Sequence, residues 1–331
     1  MNVLLAGYFA AVSYLTVADA STDSIAEPHS AISEPSSVSG PPLIGLVLHG
    51  LELPVYQKLE ENAREYCRTT GKCRLVSGGG LGSQDETSQR VWLKQLVAER
   101  VAGIVVAPVG GQKLLKQLAK ARKKGITVVN IGGRFDPEML TRNRLLIPWV
   151  GPDNSAAARA VAQLLVQRLR PEARVAILAG TPGHQVSYER VRAARAWLKS
   201  CGLKVVAIEA AHWQKGRAEA TTMDLLSRFP DLDAILAVND EMALGALKAV
   251  GRVKPGRVLI TGFDGEKRAL NLIRAGKMLA TIDWYPDQQG VYGIQKLLSG
   301  TAGDKMTPWR LLIREDLVGH GFEIGSTGTD Q

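Results

Sequence analysis

Apolar residues from Leu43 onward fall into short runs that alternate with longer amphipathic stretches. The short runs show little alternation of apolar and polar positions, which is typical of strands that helices cover on both faces. The longer stretches place apolar residues at the spacing of one helix face, as in Val55–Arg68, Asp85–Glu99 and Lys113–Lys123. The predicted strands are Leu43–His49, Cys73–Ser77, Gly103–Ala107, Ile126–Ile131, Arg174–Leu178, Lys204–Glu209, Ala234–Val238, Val258–Thr261 and Leu279–Ile282.

Repeated strand–helix units with short connections predict an α/β fold with parallel sheets and right-handed crossovers. The segment 132–153, GGRFDPEMLTRNRLLIPWVGPD, breaks this rhythm. In it a short strand ends at Val150, and Asn154 is a candidate N-cap for a helix over Ser155–Leu169. We expect the chain to pass here from an N-terminal lobe to a second lobe, and a length of 331 residues suits two domains.

Polar residues follow two of the predicted strands directly. Asn239 and Asp240 follow the strand at Ala234–Val238, and Asp264 comes shortly after Val258–Thr261. The carboxyl ends of parallel strands open into a crevice where α/β proteins hold ligands. We therefore expect the Asn239 amide and the Asp264 carboxylate to orient a ligand. Helix capping is the alternative role, because both positions also suit it.

Three segments in this part of the chain, NDEMALGALKA, GFDG and ATIDWYPDQQG, resemble the corresponding segments of type I periplasmic binding proteins of the ribose-binding type. The resemblance extends more weakly over about Leu43 to Ile313. It implies two doubly wound parallel-sheet lobes joined by a three-segment hinge. It also implies an exported solute-binding protein, which captures a sugar or sugar-like molecule between closing lobes and delivers it to an ABC importer.

The same resemblance implies that both lobes are discontinuous. The later crossings are expected near Asp283–Tyr285 and within Pro308–Asp316. The N-terminal lobe is then 43–150 plus 284–312, and the C-terminal lobe is 151–283 plus 313–325.

Further ligand-binding residues are implied by position in the resembled family. Arg190, in the SYERVRAA segment, falls where that family has a cleft arginine, although a helix-surface arginine is nearly as good an interpretation. Trp213 stands 26 residues before Asn239, where the family has a stacking aromatic, and Tyr56 stands near the expected place of another. Trp284 replaces a polar glutamine of the ribose binders. Both tryptophans could instead be hinge or core residues.

The N-terminal half of the expected pocket departs from the family. Where the family has an Asp-Arg pair that binds hydroxyl groups, this chain has Gly132-Gly133, followed directly by Arg134. The loop HGLELPVY after the first strand places Leu53 and Val55 where the family's residues face the cleft. Free ribose would leave hydroxyl groups unpaired there, at about 1–3 kcal/mol each. We therefore expect a larger, partly apolar, aromatic or anionic ligand. Arg134 and Arg190 are the candidate anion partners.

The N-terminus predicts export. An apolar run ends at Ala18-Asp19-Ala20, which has the form of a signal-peptide cleavage site, so residues 1–20 are a predicted signal peptide. Residues 21–42 are rich in Ser, Pro and Ala and are predicted to be a disordered leader. In an oxidising compartment Cys67 and Cys73 could form a disulfide or remain two buried thiols.

Other function classes find little support in the sequence. The formal net charge is +9, but the basic residues are scattered over many predicted helices, which favours a solvated basic surface over a nucleic-acid footprint. No metal spacing, phosphate loop or catalytic triad is evident, so we expect no cofactor and no enzyme. The partners expected are a small-molecule ligand and a membrane permease or a membrane sensor protein, with the chain itself a monomer. A transcription-regulator core remains the alternative of another class, although it would need a helix-turn-helix.

Overall fold

The computed structural model of the chain describes residues 40–48, 50–51, 53–80, 85–109, 111–253 and 256–318. The predicted signal peptide, residues 21–39 of the predicted leader and residues 319–325 of the predicted C-terminal lobe lie outside the described residues. No helix in the described part of the chain is long and apolar enough to cross a bilayer.

Two separate six-stranded sheets form the centres of two lobes. The first contains β1 (Leu43–Leu48), β2 (Arg74–Gly79), β3 (Gly103–Val106), β4 (Thr127–Ile131), β5 (Trp149–Pro152) and β11 (Lys305–Thr307). Its strand order is β11-β5-β4-β3-β1-β2, and all neighbours pair in parallel. The α/β fold with parallel sheets is thereby confirmed for this lobe.

The second sheet contains β6 (Arg174–Ala179), β7 (Lys204–Ala210), β8 (Ala234–Ala237), β9 (Leu259–Thr261), β10 (Ala280–Asp283) and β12 (Arg310–Ile313). Its order is β12-β10-β9-β8-β6-β7, which corresponds to the strand order of the first sheet. Only β12, at one edge, runs antiparallel to its neighbour among these strands. The expectation of two topologically alike, doubly wound lobes is confirmed.

Helices cover both faces of each sheet. They are α1 (Pro54–Thr70), α2 (Glu86–Ala98), α3 (Gln112–Lys123), α4 (Pro137–Arg142), α5 (Asn154–Arg168), α6 (Gln185–Ser200), α7 (Lys215–Arg228), α8 (Asp240–Val253), α9 (Lys267–Arg274), α10 (Pro286–Ser299) and α11 (Arg314–Val318). Successive residues of β1 point to opposite faces of the sheet, and both faces are covered: Leu46 packs in one apolar cluster and Val47 in another. This burial on both faces explains why the strands lack polar positions.

Three segments connect the two sheets, between β5 and α5, between β10 and α10, and between β11 and β12. Helix α10 lies against α1 in the first lobe, where Gly290 lets the two backbones approach near Leu59 and Ala63. Residues 310–312, which the sequence analysis placed in the first lobe, pair instead with β10 in the second sheet. The short β12 lies directly after β11 and carries too little pattern to locate this last crossing from sequence.

The two cysteines at the end of α1 and the start of β2 are joined. Cys67 and Cys73 form a disulfide that spans the turn at Gly71, a residue whose φ of 63° ends the helix in a left-handed conformation. Of the two alternatives that the sequence left open, the structure contains the disulfide. Cys201, in the second lobe, is an exposed free thiol.

Candidate ligand-binding cleft

A cavity lies between the lobes at the carboxyl ends of both sheets. Its first-lobe wall comes from the turn before α1 and the loop after β4, and its second-lobe wall comes from the loops after β6 to β10. Six of the seven candidate residues line it: Tyr56, Arg190, Trp213, Asn239, Asp264 and Trp284. The topology therefore gathers residues that are up to 228 positions apart in the chain into one site.

The lobes are closed over this cavity. Val55 of the first lobe packs against the apolar core of the second. A Cβ atom on Gly133 would lie 3.1 Å from Cγ2 of Val186, which belongs to the opposite lobe. The space left between the walls is about 60 Å³, well below the roughly 300–1,000 Å³ typical of ligand pockets. A sugar-sized molecule therefore enters only when the lobes or the lining side chains move apart.

Arg190 is buried in the second-lobe wall, not displayed on a helix surface. Its Nε donates to Asn154 Oδ1 at 2.9 Å and its Nη1 to the Val238 carbonyl at 2.8 Å. The guanidinium lies 3.4 Å from the centre of the Phe263 ring, in a cation–π arrangement. Nη2 has no hydrogen bond within the described part of the chain. The side chain is thus fixed in one orientation with donor capacity that the protein leaves unused.

Asp264 faces Arg190 across the same wall. Its Oδ1 accepts from the Trp284 indole nitrogen at 3.0 Å and lies 3.6 Å from Nη1 of the arginine. Burial raises the pKa of this carboxyl to about 6, and the guanidinium opposes that rise. The Asp264 backbone has φ 129°, a region that residues other than glycine rarely adopt. Such strain persists where the surroundings over-determine the conformation, and it is concentrated at functional sites.

Asn239 has the capping role that the sequence left as an alternative. Its Oδ1 accepts from the Met242 backbone N–H at 3.0 Å in the first turn of α8. Capping uses only the oxygen, so the two functions are compatible. The Nδ2 group donates to no residue that the structure describes, and the side chain lines the cavity. The amide can therefore cap the helix and donate to a ligand at once.

The aromatic candidates differ in how they are held. The Trp213 ring packs over Gly180, where a Cβ atom would lie 2.2 Å from ring carbons, and it meets the His184 ring edge-on at 5.3 Å. Its buried Nε1 has no hydrogen-bond partner among the described residues. Trp284 packs into the second-lobe core, and its Nε1 orients Asp264. Tyr56 lies on α1 across the cleft.

Arg134 does not reach the cavity, contrary to the sequence expectation. Its side chain forms an ion pair with Asp304 and lies over the Trp149 ring at 5.3 Å. Gly132 and Gly133 of the same turn line the cavity, and Gly132 has φ 65°. Asp304 also accepts from the Trp149 backbone N–H at 2.9 Å. The arginine is thus a partner in a surface network of the first lobe.

Several lining residues were missed by sequence reasoning. Asn154 was expected to cap α5, but Asp153 is the cap, and Asn154 instead accepts from Arg190. Burial lowers the pKa of His184 to about 4, with a smaller contribution from the nearby arginine. Burial raises the pKa of Glu266 to about 8, together with repulsion from neighbouring carboxylates. The signal for Glu266 was available, because it directly follows the GFDG word at the strand end.

Comparisons with known proteins bear on this site. A family model described as the periplasmic binding protein domain matches residues 44–304. The chain is 33% identical over 264 residues to the D-ribose/D-allose-binding protein of Pseudomonas aeruginosa, covering 79% of this chain and 83% of that protein. It is 30% identical over 270 residues to the D-allose-binding periplasmic protein of Escherichia coli, covering 80% and 86%. A solved ABC transporter solute-binding protein of Burkholderia multivorans has a TM-score of 0.79 at 31% identity, covering 83% and 100%.

Proposed function

This chain belongs to the periplasmic binding protein domain family, and on that premise we propose that it is an exported solute-binding protein. It captures one sugar-like molecule between its two lobes and delivers it to an ABC importer. D-ribose and D-allose are the first ligands to test, because the relatives named above are binders of these sugars. The chain acts by binding and not by catalysis, as a monomer with no nucleic-acid partner.

The arrangement of Arg190 and Asp264 supports this proposal most strongly. Both side chains are buried and oriented by the protein, yet each retains hydrogen-bonding capacity on the cavity wall. Asp264 uses Oδ1 for its protein partners, which leaves Oδ2 to accept from a ligand. A carboxylate acceptor beside a guanidinium donor suits adjacent hydroxyl groups, each of which can donate and accept. Asn239 adds a further donor on the same wall.

Trp213 supports a ring-shaped ligand. An indole face suits the C–H face of a sugar ring. The buried Nε1 of this residue lacks a partner among the described residues, and an unpaired buried donor costs about 1–3 kcal/mol. A ligand oxygen within reach would recover that cost. The ligand would then be held by stacking on one side and by hydrogen bonds at its edge.

Closure of the lobes links binding to delivery. A ligand shifts the protein to the closed state only by binding that state better than the open one. Groups on both walls give it that preference, since only closure brings Tyr56 within reach of the ligand that Asp264 holds. The three inter-sheet segments would act as the hinge, and the closed lobes would present the surface that the permease recognises. Residues 1–20 would direct export and be removed after Ala20.

Calorimetric titration of the purified protein with D-ribose and with D-allose tests the proposal. We expect saturable one-to-one binding of at least one of these sugars. The Asp264→Ala variant should bind it about 10- to 100-fold more weakly, as expected for one buried charge-assisted contact. Asp224→Ala is the matched control, because its side chain is 58% exposed on α7. Equal affinities of wild type and Asp264→Ala would overturn the assignment of this site.

A further inference from the structure

The two walls of the cavity differ sharply in polarity. The first lobe contributes Leu53, Val55, Tyr56, Gly132, Gly133 and Pro152. Among these described residues the Tyr56 hydroxyl is the sole polar side-chain group. The second lobe contributes its amides, its guanidinium and three carboxyl groups to the opposite wall. Among the described lining residues, hydrogen-bonding side chains therefore lie mainly on the second-lobe side.

The backbone of the first-lobe wall does not compensate for its apolar side chains. The Gly132 carbonyl accepts from Trp149 Nε1 at 2.8 Å, and the Gly133 carbonyl accepts from Asn130 Nδ2 at 2.7 Å. Both acceptors at this end of the cavity are thus engaged within the lobe. A ligand hydroxyl placed against these glycines would meet carbonyls that each already accept one hydrogen bond.

Apolar side chains also approach the opposite lobe at this end of the cavity. Val55 packs across the cleft on the second-lobe core, and Val186 of the second lobe reaches the position of Gly133. Val186 is 9% exposed. A ligand hydroxyl held between such side chains would lose its water contacts without gaining a protein partner. A hydroxyl buried there without a hydrogen-bond partner would be unfavourable.

The charges of the second-lobe wall disfavour an anionic ligand. Arg190 is the sole Lys or Arg among the described lining residues, and it already lies beside Asp264. Glu241 and Glu266 line the same wall. His184 is neutral at physiological pH, because burial lowers its pKa to about 4. Glu266 is largely protonated at that pH, because burial raises its pKa to about 8. A phosphate or carboxylate group would therefore meet one cation among the described lining residues, and that cation already lies beside the Asp264 carboxylate.

On the premise of the proposed function, we infer that the cavity selects a neutral sugar-like molecule with one deoxygenated or alkylated end. That end lies against the first-lobe wall of Leu53, Val55 and the Gly132-Gly133 turn. The hydroxyl groups face Asp264, Arg190 and Asn239. The first lobe thus selects between ligands by their apolar end, whereas the second lobe supplies the hydrogen bonds to the hydroxyl groups of the ring.

Matched ligand sets test this inference by calorimetry on the wild-type protein. D-allose is compared with 6-deoxy-D-allose and methyl β-D-allopyranoside, and D-ribose with methyl β-D-ribopyranoside. Each analogue removes or caps one hydroxyl of its parent sugar. In at least one set we expect an analogue to bind about 10- to 100-fold more tightly than the parent, the cost of one unpaired buried hydroxyl. Phosphorylated D-ribose should bind more weakly than D-ribose.

A near-isosteric variant assigns the preference to the first-lobe wall. Val55→Thr places a hydroxyl on that wall with almost no change of shape. It should reduce the ratio of analogue to parent affinity at least threefold, because the parent hydroxyl gains a partner. Val91→Thr is the control: this valine is 59% exposed on α2 of the same lobe. It should leave the ratio unchanged.

The outcomes separate this inference from the proposed function. If both parent sugars bind as tightly as their analogues or more tightly, and Asp264→Ala still weakens binding about 10- to 100-fold, the sugar-binding function stands and the apolar-end specificity is refuted. An unchanged ratio in Val55→Thr refutes the role of the first-lobe wall. If none of the sugars or analogues binds, the proposed function fails and this inference fails with it.

Discussion

Replacement of Arg190 by methionine tests the buried ion pair of the cleft. The guanidinium donates to Asn154 at 2.9 Å and to the Val238 carbonyl at 2.8 Å, and it lies 3.6 Å from Asp264. Methionine retains much of the aliphatic volume that packs near Phe263, but it removes every donor. Removal of one partner from a buried pair costs about 3–5 kcal/mol. We expect the free energy of unfolding to fall by about that amount.

The loss should depend on pH in a defined direction. Burial raises the pKa of Asp264 to about 6 in the folded protein. At about pH 5 the carboxyl is therefore mostly protonated, and the ion pair contributes little even in the wild type. At about pH 7.5 the wild-type carboxylate is charged and paired, whereas in Arg190→Met it must remain charged alone or bind a proton. The stability difference between the two proteins is expected to be larger at the higher pH.

Urea unfolding followed by circular dichroism measures this difference. A typical slope of about 1–3 kcal/mol per molar urea converts the expected loss into a midpoint shift of about 1 M or more. Arg192→Met is the matched control, because Arg192 is exposed on the same helix, and its midpoint should stay near that of the wild type. If Arg190→Met also unfolds within about 0.3 M of the wild type at pH 7.5, the buried ion pair does not stabilise the folded protein.

Three further predictions concern stability and binding. Burial raises the pKa of Asp240 to about 7, so between about pH 4 and pH 7 the folded state binds a proton that the unfolded state has lost, and its stability falls as the pH rises. Differential scanning fluorimetry should show a smaller fall in melting temperature over this pH range for Asp240→Asn. The exposed-site control Asp224→Asn should show the same fall as the wild type. Replacing Cys67 and Cys73 together by alanine removes a cross-link over 6 residues and should lower the unfolding free energy by about 2 kcal/mol in urea titrations. Trp213→Ala should weaken sugar binding at least about tenfold in calorimetry, and an undiminished affinity would remove this ring from the site.

Much of the fold could be predicted from sequence because its signals are local. The predicted strands overlap observed ones, since apolar runs buried by helices on both faces leave little ambiguity. The strands β11 and β12 were missed. They are short edge strands, and whether Arg310–Ile313 joins the first or the second sheet depends on its antiparallel pairing with β10. That pairing is a long-range contact that no local pattern in the segment encodes.

The candidate site was predicted where strand ends fix the side chains and missed where turns direct them. Asn239 and Asp264 follow strands, so the topology alone places them on the cavity wall. Arg134 follows a glycine with φ 65°, and its direction depends on that turn and on the distant Asp304. Asp153 caps α5, and Asn154 lies one position after it. The Asn154 side chain is therefore not the cap that the sequence predicted, and it accepts a hydrogen bond from Arg190 instead.

A crystal structure of the complex with the most tightly bound sugar of the titrations tests the central claim most directly. The claim is that one sugar-like molecule is held between the lobes by the Asp264 and Arg190 side chains. The predicted result is a single molecule in the interlobe cavity, with hydroxyl oxygens within about 3 Å of both side chains and the Trp213 ring against its C–H face. A molecule bound elsewhere, such as in the basic groove beside Lys248 and Lys277 of the second lobe, or one without contact to Asp264, would contradict it.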